Sequence, residues 1–223
     1  MTPPVEAILF DLDDTLCVYE QTADEVLTAA FDAVGVAPFF DGDEYVARFD
    51  EFLDAGEEVA EIRRACFTAF AEKAGYERAL GREIAAAYRE RRDPSGVTFT
   101  PGAREALDAV ADDYRVGLVT NGDPTLQGPK LDSLGIADRF ETVVHGGVDA
   151  PYKPNPEPFH LALDDLGVDP GRAVHVGNSL ESDVRGALAA GLEAAWIADG
   201  REPEPRPDYV FETVAGVADE PWR

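Results

Sequence analysis

Short apolar runs alternate with helical patterns along most of this chain, and that alternation constrains the fold more than any other feature. Val5 to Phe10 is apolar apart from Glu6 and stops at Asp11. Tyr114 to Val119 stops at Thr120, and Ala173 to Val176 leads into Gly177. Shorter runs lie at Glu141–Val144, Ala194–Ile197 and Tyr209–Phe211. Runs of this length, bounded by polar residues, read as buried strands. Between them, Thr100-Pro101 starts one helix. Asn155-Pro156 opens another, with Phe159, Ala162, Leu163 and Leu166 on one face and Gly167 behind it. Asp183 to Ala190 is a third, stopped by Gly191. Strands separated by helices predict a doubly wound, mainly parallel α/β sheet. Ligands of such sheets bind beyond the carboxyl ends of the strands. That rule singles out Asp11, Asp13, Thr120, Asn121, Asn178 and Asp183.

One stretch breaks the alternation. Thr22 with Glu25 forms a capping box, after which Leu27, Ala30, Phe31 and Val34 follow at helical spacing up to Gly35. Val59, Ile62, Cys66, Ala69 and Phe70 make a second helical stripe, and Ala85 to Arg91 belongs to a third helix. No strand pattern intervenes before the break at Asp93-Pro94-Ser95-Gly96. The expectation is one α/β domain, residues 1–16 and 95–223, carrying a small all-helical insertion at 17–94. A chain of 223 residues suits that arrangement better than two equal domains.

Charge narrows the function. Nineteen basic residues against 45 acidic ones leave −26. Such a surface repels a nucleic-acid backbone and an anionic membrane, so neither is an expected partner. No apolar run reaches the roughly 18 residues that span a bilayer. No basic region followed by an apolar stretch marks a secretory signal, and Cys17 and Cys66 make no disulfide framework; a reducing cytoplasm is the expected compartment. Lys73, Lys130 and Lys153 are the only lysines. Few lysines with many acids match the composition of proteins from salt-accumulating halophiles, where molar salt screens self-repulsion.

Phe10-Asp11-Leu12-Asp13-Asp14-Thr15-Leu16 carries the most chemistry. A carboxylate fixed at the end of a buried strand can act as a nucleophile. A second one two residues on raises one pKa of the pair, so one carboxyl can stay protonated as a general acid. A metal ion offsets the repulsion and attracts an anionic substrate. The bland reading is a solvated acidic turn; its place after a strand argues against that.

This segment resembles motif I, DxDxT, of the haloacid dehalogenase (HAD) superfamily of hydrolases. Leu118-Val119-Thr120-Asn121-Gly122 resembles motif II, Lys153-Pro154-Asn155-Pro156-Glu157-Pro158-Phe159 resembles the KPxPxxF segment of motif III, and Gly177-Asn178-Ser179-Leu180-Glu181-Ser182-Asp183 resembles motif IV, GDxxxxD. All four stand in family order. The resemblance implies a Rossmann-like core with a helical cap between motifs I and II. It implies that Asp11 attacks phosphorus, that Asp13 is the acid and then the base, and that Lys153 offsets negative charge. The Thr120 hydroxyl and the Asn121 backbone amide would bind the phosphoryl group. Mg²⁺ would be held by Asp11, the Asp13 carbonyl, Asn178 and Asp183. The implied substrate is a small-molecule phosphate ester of the sugar-phosphate, phosphoglycolate or nucleotide type.

Motif IV departs from the family at Asn178, where an aspartate is usual. An amide oxygen can still ligate Mg²⁺ but brings no charge. A working site with a neutral ligand is favoured over a site tuned to high ionic concentration or a weakened catalyst. Two other functions stay open: a 2-haloacid dehalogenase, which forms its ester to carbon and lacks the second motif I aspartate, and a weakened binding protein. His175 reads as a satisfied core histidine, Cys17 as an apolar filler, and Glu181 as either a compensating ligand or a surface residue. Arg48, Arg63 and Arg64 are candidates for a second anionic group on the substrate, or for pairing with neighbouring acids. Oligomeric state is not legible.

Overall fold

The structure is a computed structural model describing residues 4–55 and 59–223. Its strands are β1 (Ala7–Phe10), β2 (Cys17–Tyr19), β3 (Val97–Phe99), β4 (Arg115–Thr120), β5 (Thr142–His145), β6 (Ala173–Gly177), β7 (Glu193–Ile197) and β8 (Tyr209–Phe211). Its α-helices are α1 (Ala23–Val34), α2 (Gly42–Arg48), α3 (Val59–Lys73), α4 (Arg78–Arg91), α5 (Ala103–Val110), α6 (Pro124–Leu134), α7 (Glu157–Leu166) and α8 (Arg185–Ala190). The chain divides into two compact units, Met1–Val18 with Val97–Arg223 and Tyr19–Gly96.

The first unit is built on a six-stranded sheet in the order β5-β4-β1-β6-β7-β8, parallel throughout. The expected doubly wound α/β core is therefore present. Every residue of β1 is fully buried, which is why its sequence reads as an unbroken apolar run. Phe159, Ala162, Leu163 and Leu166 of α7 pack with Leu9, Val119 and Val144 into one cluster, as their spacing predicts. The chain adds β4 and β5 on one side of β1, then crosses to add β6, β7 and β8 on the other. That reversal of strand order falls at β1, and in such sheets the carboxyl ends of the strands flanking it, here β1, β4 and β6, are the usual binding place.

The second unit is helical apart from Tyr19, which ends β2, so the expected all-helical insertion from residue 17 opens on a short strand instead. Thr22 and Glu25 make the expected capping box, and Gly35 closes α1 in the left-handed conformation. Its core is aromatic: Phe40 stacks on Phe70 at 4.4 Å, and Phe31 and Phe67 meet Phe40 edge-on. Cys17 of the first unit and Cys66 of the second are free and buried. No helix among the described residues is long and apolar enough to cross a membrane.

Two helix starts differ from expectation: α8 begins at Arg185, with Asp183 in the π-turn before it, and α5 begins later than Thr100-Pro101. Pro101 lies in a turn, and α5 begins at Ala103, capped by the left-handed residue Gly102. The helix α2, a short and mostly exposed segment, has no apolar stripe to announce it.

Candidate active site

Strand ends and helices of the first unit assemble the site. β1 continues one residue past its last pair, because the Asp11 N–H donates to the Val176 carbonyl at 2.9 Å. Beyond it the chain folds back tightly. The Leu16 and Cys17 amides both donate to the Leu12 carbonyl, and Asp14 takes a positive φ of 59°. An aspartate tolerates that conformation better than most residues. The Thr15 hydroxyl is buried and donates to the Asn178 amide oxygen at 3.3 Å, tying this turn to the end of β6.

Lys153 is the centre of the arrangement. It is buried, and its ammonium donates to Asp11 Oδ1, Asp183 Oδ1 and the Val119 carbonyl, each at 2.7 Å. Three N–H donors thus meet three acceptors, and the group is saturated. Its backbone is clasped by the Asn121 side chain: Lys153 N–H donates to Asn121 Oδ1 at 2.8 Å, and Asn121 Nδ2 donates to the Lys153 carbonyl at 3.0 Å. The motif resemblance implies a role for the Asn121 backbone amide; the clasp is an additional task.

Burial drives the charges of this cluster. It pushes the Asp11 carboxyl up to about 7, opposed by the Lys153 charge and assisted by Asp183. For Lys153 burial pulls downward, but the attraction of Asp11 and Asp183 prevails, and its pKa rises. Asp183 is also penalised by burial, yet Lys153 and His175 hold it well below the usual carboxylate range.

Asp183 sits in a single π-turn, Leu180–Val184, a distortion that often marks functional sites. Its Oδ1 faces Lys153 and His175 Nε2, the latter at 3.0 Å, and its Oδ2 accepts from the Ser179 N–H at 2.9 Å. A Cβ at position 177 would come within 2.3 Å of the Asp183 carboxyl carbon, so only glycine fits there. The carboxylate expected to ligate metal is thus already engaged by protein donors. His175 is buried edge-on against Phe159 and lies in the core, as read from the sequence, but it is not fully satisfied there: Nε2 meets Asp183, while Nδ1 is buried with no described hydrogen-bond partner.

The second aspartate has partners that motif reading misses. Asp13 Oδ2 accepts from Gln127 Nε2 at 2.8 Å, and Asp13 Oδ1 pairs with the Lys130 ammonium. Gln127 Nε2 also donates to the Thr120 hydroxyl at 2.8 Å. Gln127 and Lys130 are buried, three residues apart on α6. Two polar residues on the same buried stripe as Leu131 and Leu134, one of them among only three lysines, are the available signal.

The other candidates take ordinary places. Glu181 pairs with Arg185 at 2.9 Å on the surface. The Cys17 thiol is pushed up to about 12 by burial and by Asp13, and is inert. In the helical unit Arg48 pairs with Glu51 and Arg64 with Glu61, while Arg63 donates to the Tyr45 hydroxyl.

No group of three or more His, Cys, Asp or Glu side chains among the described residues could hold a metal by itself. Asp11 Oδ2 takes part in no described hydrogen bond, and the Asn178 amide oxygen accepts only the long bond from the Thr15 hydroxyl, at 3.3 Å. One carboxylate beside neutral hard oxygens fits Mg²⁺, which keeps several waters and shares phosphate oxygens with its protein ligands.

A switch-point sheet that delivers a buried aspartate–lysine pair defines an enzyme of the doubly wound α/β class. The chain belongs to the haloacid dehalogenase-like hydrolases, whose family model matches residues 5–191. It is 38% identical over 148 residues to the phosphoserine phosphatase of Thermus thermophilus, covering 64% of this chain and 57% of that protein. The chain thus spans little more than half the length of that curated relative. The HAD hydrolase YfnB from Bacillus subtilis, solved bound to magnesium, shares the fold with a TM-score of 0.79 at 20% identity, covering 98% of this chain and 99% of that one. So does a 2-haloacid dehalogenase from Pseudomonas syringae, with a TM-score of 0.65 at 24% identity, covering 98% of this chain and 100% of that one. The fold alone therefore does not separate phosphate ester from haloacid.

Proposed function

We propose that this protein is a Mg²⁺-dependent phosphomonoester hydrolase acting on a small phosphorylated metabolite in the cytoplasm, through an aspartyl-phosphate intermediate. The observation that carries this reading is Asp13: its carboxylate is held beside motif I by Lys130 and by Gln127, which also holds the phosphoryl-binding Thr120. Transfer to carbon has no use for a second aspartate. The named activity of the Thermus relative supports the same choice.

Asp11 attacks phosphorus, and the bond to the leaving alkoxide breaks as Asp13 gives that oxygen its proton. Asp13 then takes a proton from water, which attacks phosphorus and frees Asp11. Lys153, pinned between Asp11 and Asp183, supplies fixed positive charge against the charge developing on the phosphoryl oxygens. Thr120 and the Asn121 amide bind those oxygens. Mg²⁺ would be held by Asp11, the Asp13 carbonyl and Asn178, and when bound it supplies positive charge for the phosphate. Asp183 supports the site from behind, through Lys153 and Ser179. The low lysine content and charge of −26 fit a protein that works in concentrated salt.

The test is hydrolysis of an aryl phosphate in high KCl, with and without Mg²⁺, alongside Asp11→Asn. Activity that needs both the metal and Asp11 is the expected result. A folded protein that releases no phosphate from the aryl ester or from a panel of phosphate esters overturns the reading, and 2-haloacids are then the substrates to try.

A further inference from the structure

Two of the three lysines are buried, and each goes to one of the two motif I aspartates: Lys153 to Asp11 and Lys130 to Asp13. The third, Lys73, is exposed. Burying an ammonium is costly even when it is paired. The fold accepts that cost beside an aspartate whose own side chain is 42% exposed and could be solvated by water instead. Solvation is therefore not what Lys130 provides; a fixed place for the carboxylate is.

Gln127 adds a second constraint. Both hydrogens of its amide nitrogen are in use, one on Asp13 Oδ2 and one on Thr120 Oγ1. A flipped amide would set an oxygen against the carboxylate, so the orientation is determined. Its own Oε1 is buried with no partner among the described residues, so the nitrogen's contacts, not the oxygen's, hold the group. The Gly122 N–H also donates to Thr120 Oγ1, at 3.2 Å. With both lone pairs of that hydroxyl accepting, its proton is left to point outward as a donor.

We propose that Lys130 and Gln127 are positioning residues, which together aim the Asp13 carboxyl at the leaving-group oxygen and the Thr120 hydroxyl at the phosphoryl group. This rests on the phosphatase reading above. It predicts a dependence on the leaving group that a merely structural role would not produce. An alkyl phosphate needs its departing oxygen protonated, whereas a nitrophenyl phosphate leaves without help.

The experiment measures kcat/KM of wild type and Lys130→Met on glycerol 2-phosphate and on p-nitrophenyl phosphate, with Mg²⁺ in high KCl. Tryptophan fluorescence confirms the folded state. The expected loss is about 100-fold on the alkyl ester, the scale of a displaced general acid, and under about 10-fold on the aryl ester. Gln127→Met, which also releases Thr120, is expected to lower both. Equal losses on the two esters with folded Lys130→Met, or no loss on either, overturn the proposal and leave the phosphatase reading standing. Should Lys130→Met not fold, the same comparison is read on Lys130→Arg, whose broader head displaces Asp13 while keeping the charge; a selective loss supports the proposal and a uniform one overturns it. Wild type inactive on both esters defeats the phosphatase reading itself, and this inference with it.

Discussion

Lys153→Met removes the one cation that stands between two buried carboxylates. The side chain is 1% exposed, and all three of its hydrogen bonds are 2.7 Å long. Breaking a buried ion pair from one side costs about 3–5 kcal/mol, because the remaining charge is left uncompensated. Two features bring the expectation here to the lower end, about 3 kcal/mol. Asp11, already raised to about 7, can take up a proton, and Asp183 keeps the Ser179 amide and His175. The remaining strain lies on Asp183, so Asp183→Asn added to Lys153→Met should recover about 1 kcal/mol, the scale of coupling between residues in contact. Both tryptophans, Trp196 and Trp222, belong to the α/β unit, so their fluorescence in urea follows that unit without the helical one. In a thermal scan the single variant should lose on the order of 10 °C. A buried pair is screened little by salt, so the loss should hold between moderate and molar KCl. A cost below about 1 kcal/mol, the level of an exposed pair, or a cost that fades with added salt, would refute the claim that Lys153 is the electrostatic centre of this site.

The departure at motif IV gives a second prediction: Asn178→Asp adds a carboxylate to the oxygens offered to Mg²⁺ and should lower the metal concentration needed for half-maximal activity by about tenfold, a difference worth ~1.4 kcal/mol. An unchanged metal titration would remove residue 178 from the ligands. A third concerns pH. Burial holds the His175 pKa below its usual value against the pull of Asp183. The folded state therefore prefers the neutral ring. Its stabilising effect is present above the unfolded-state value near 6.5 and is lost as pH falls below it, where the unfolded chain takes up a proton that the fold resists. The stability difference between wild type and His175→Gln, measured by urea unfolding, should shrink from about pH 8 to about pH 5.5; a difference independent of pH would show that the ring titrates freely in the fold.

What was legible in the sequence was what backbone position alone decides. Ala7 to Phe10 reads as a buried strand because both of its faces are covered, and the residue after it then falls at the carboxyl edge whatever the rest of the chain does. The same holds for Thr120 at the end of β4 and Asn178 after β6. These residues are also where the motif resemblance lies, so the two lines of reading meet on the same side chains. What was not legible depends on which side chain faces which across long separations. Gln127 and Lys130 lie 114 and 117 residues beyond Asp13 and enter the site only because α6 turns its polar stripe inward. Asn121 was legible as a strand-end residue, yet the clasp it forms on Lys153 depends on where a loop 32 residues later returns. Asp183 is the instructive case. Its place in motif IV implies a metal ligand, but the neighbours that engage its two oxygens come from a lysine, a core histidine and a π-turn amide that no single motif contains. The motif names the residues of this site; their hydrogen-bond partners, set by the fold, decide how each is held, as Lys153, His175 and the Ser179 amide together hold Asp183.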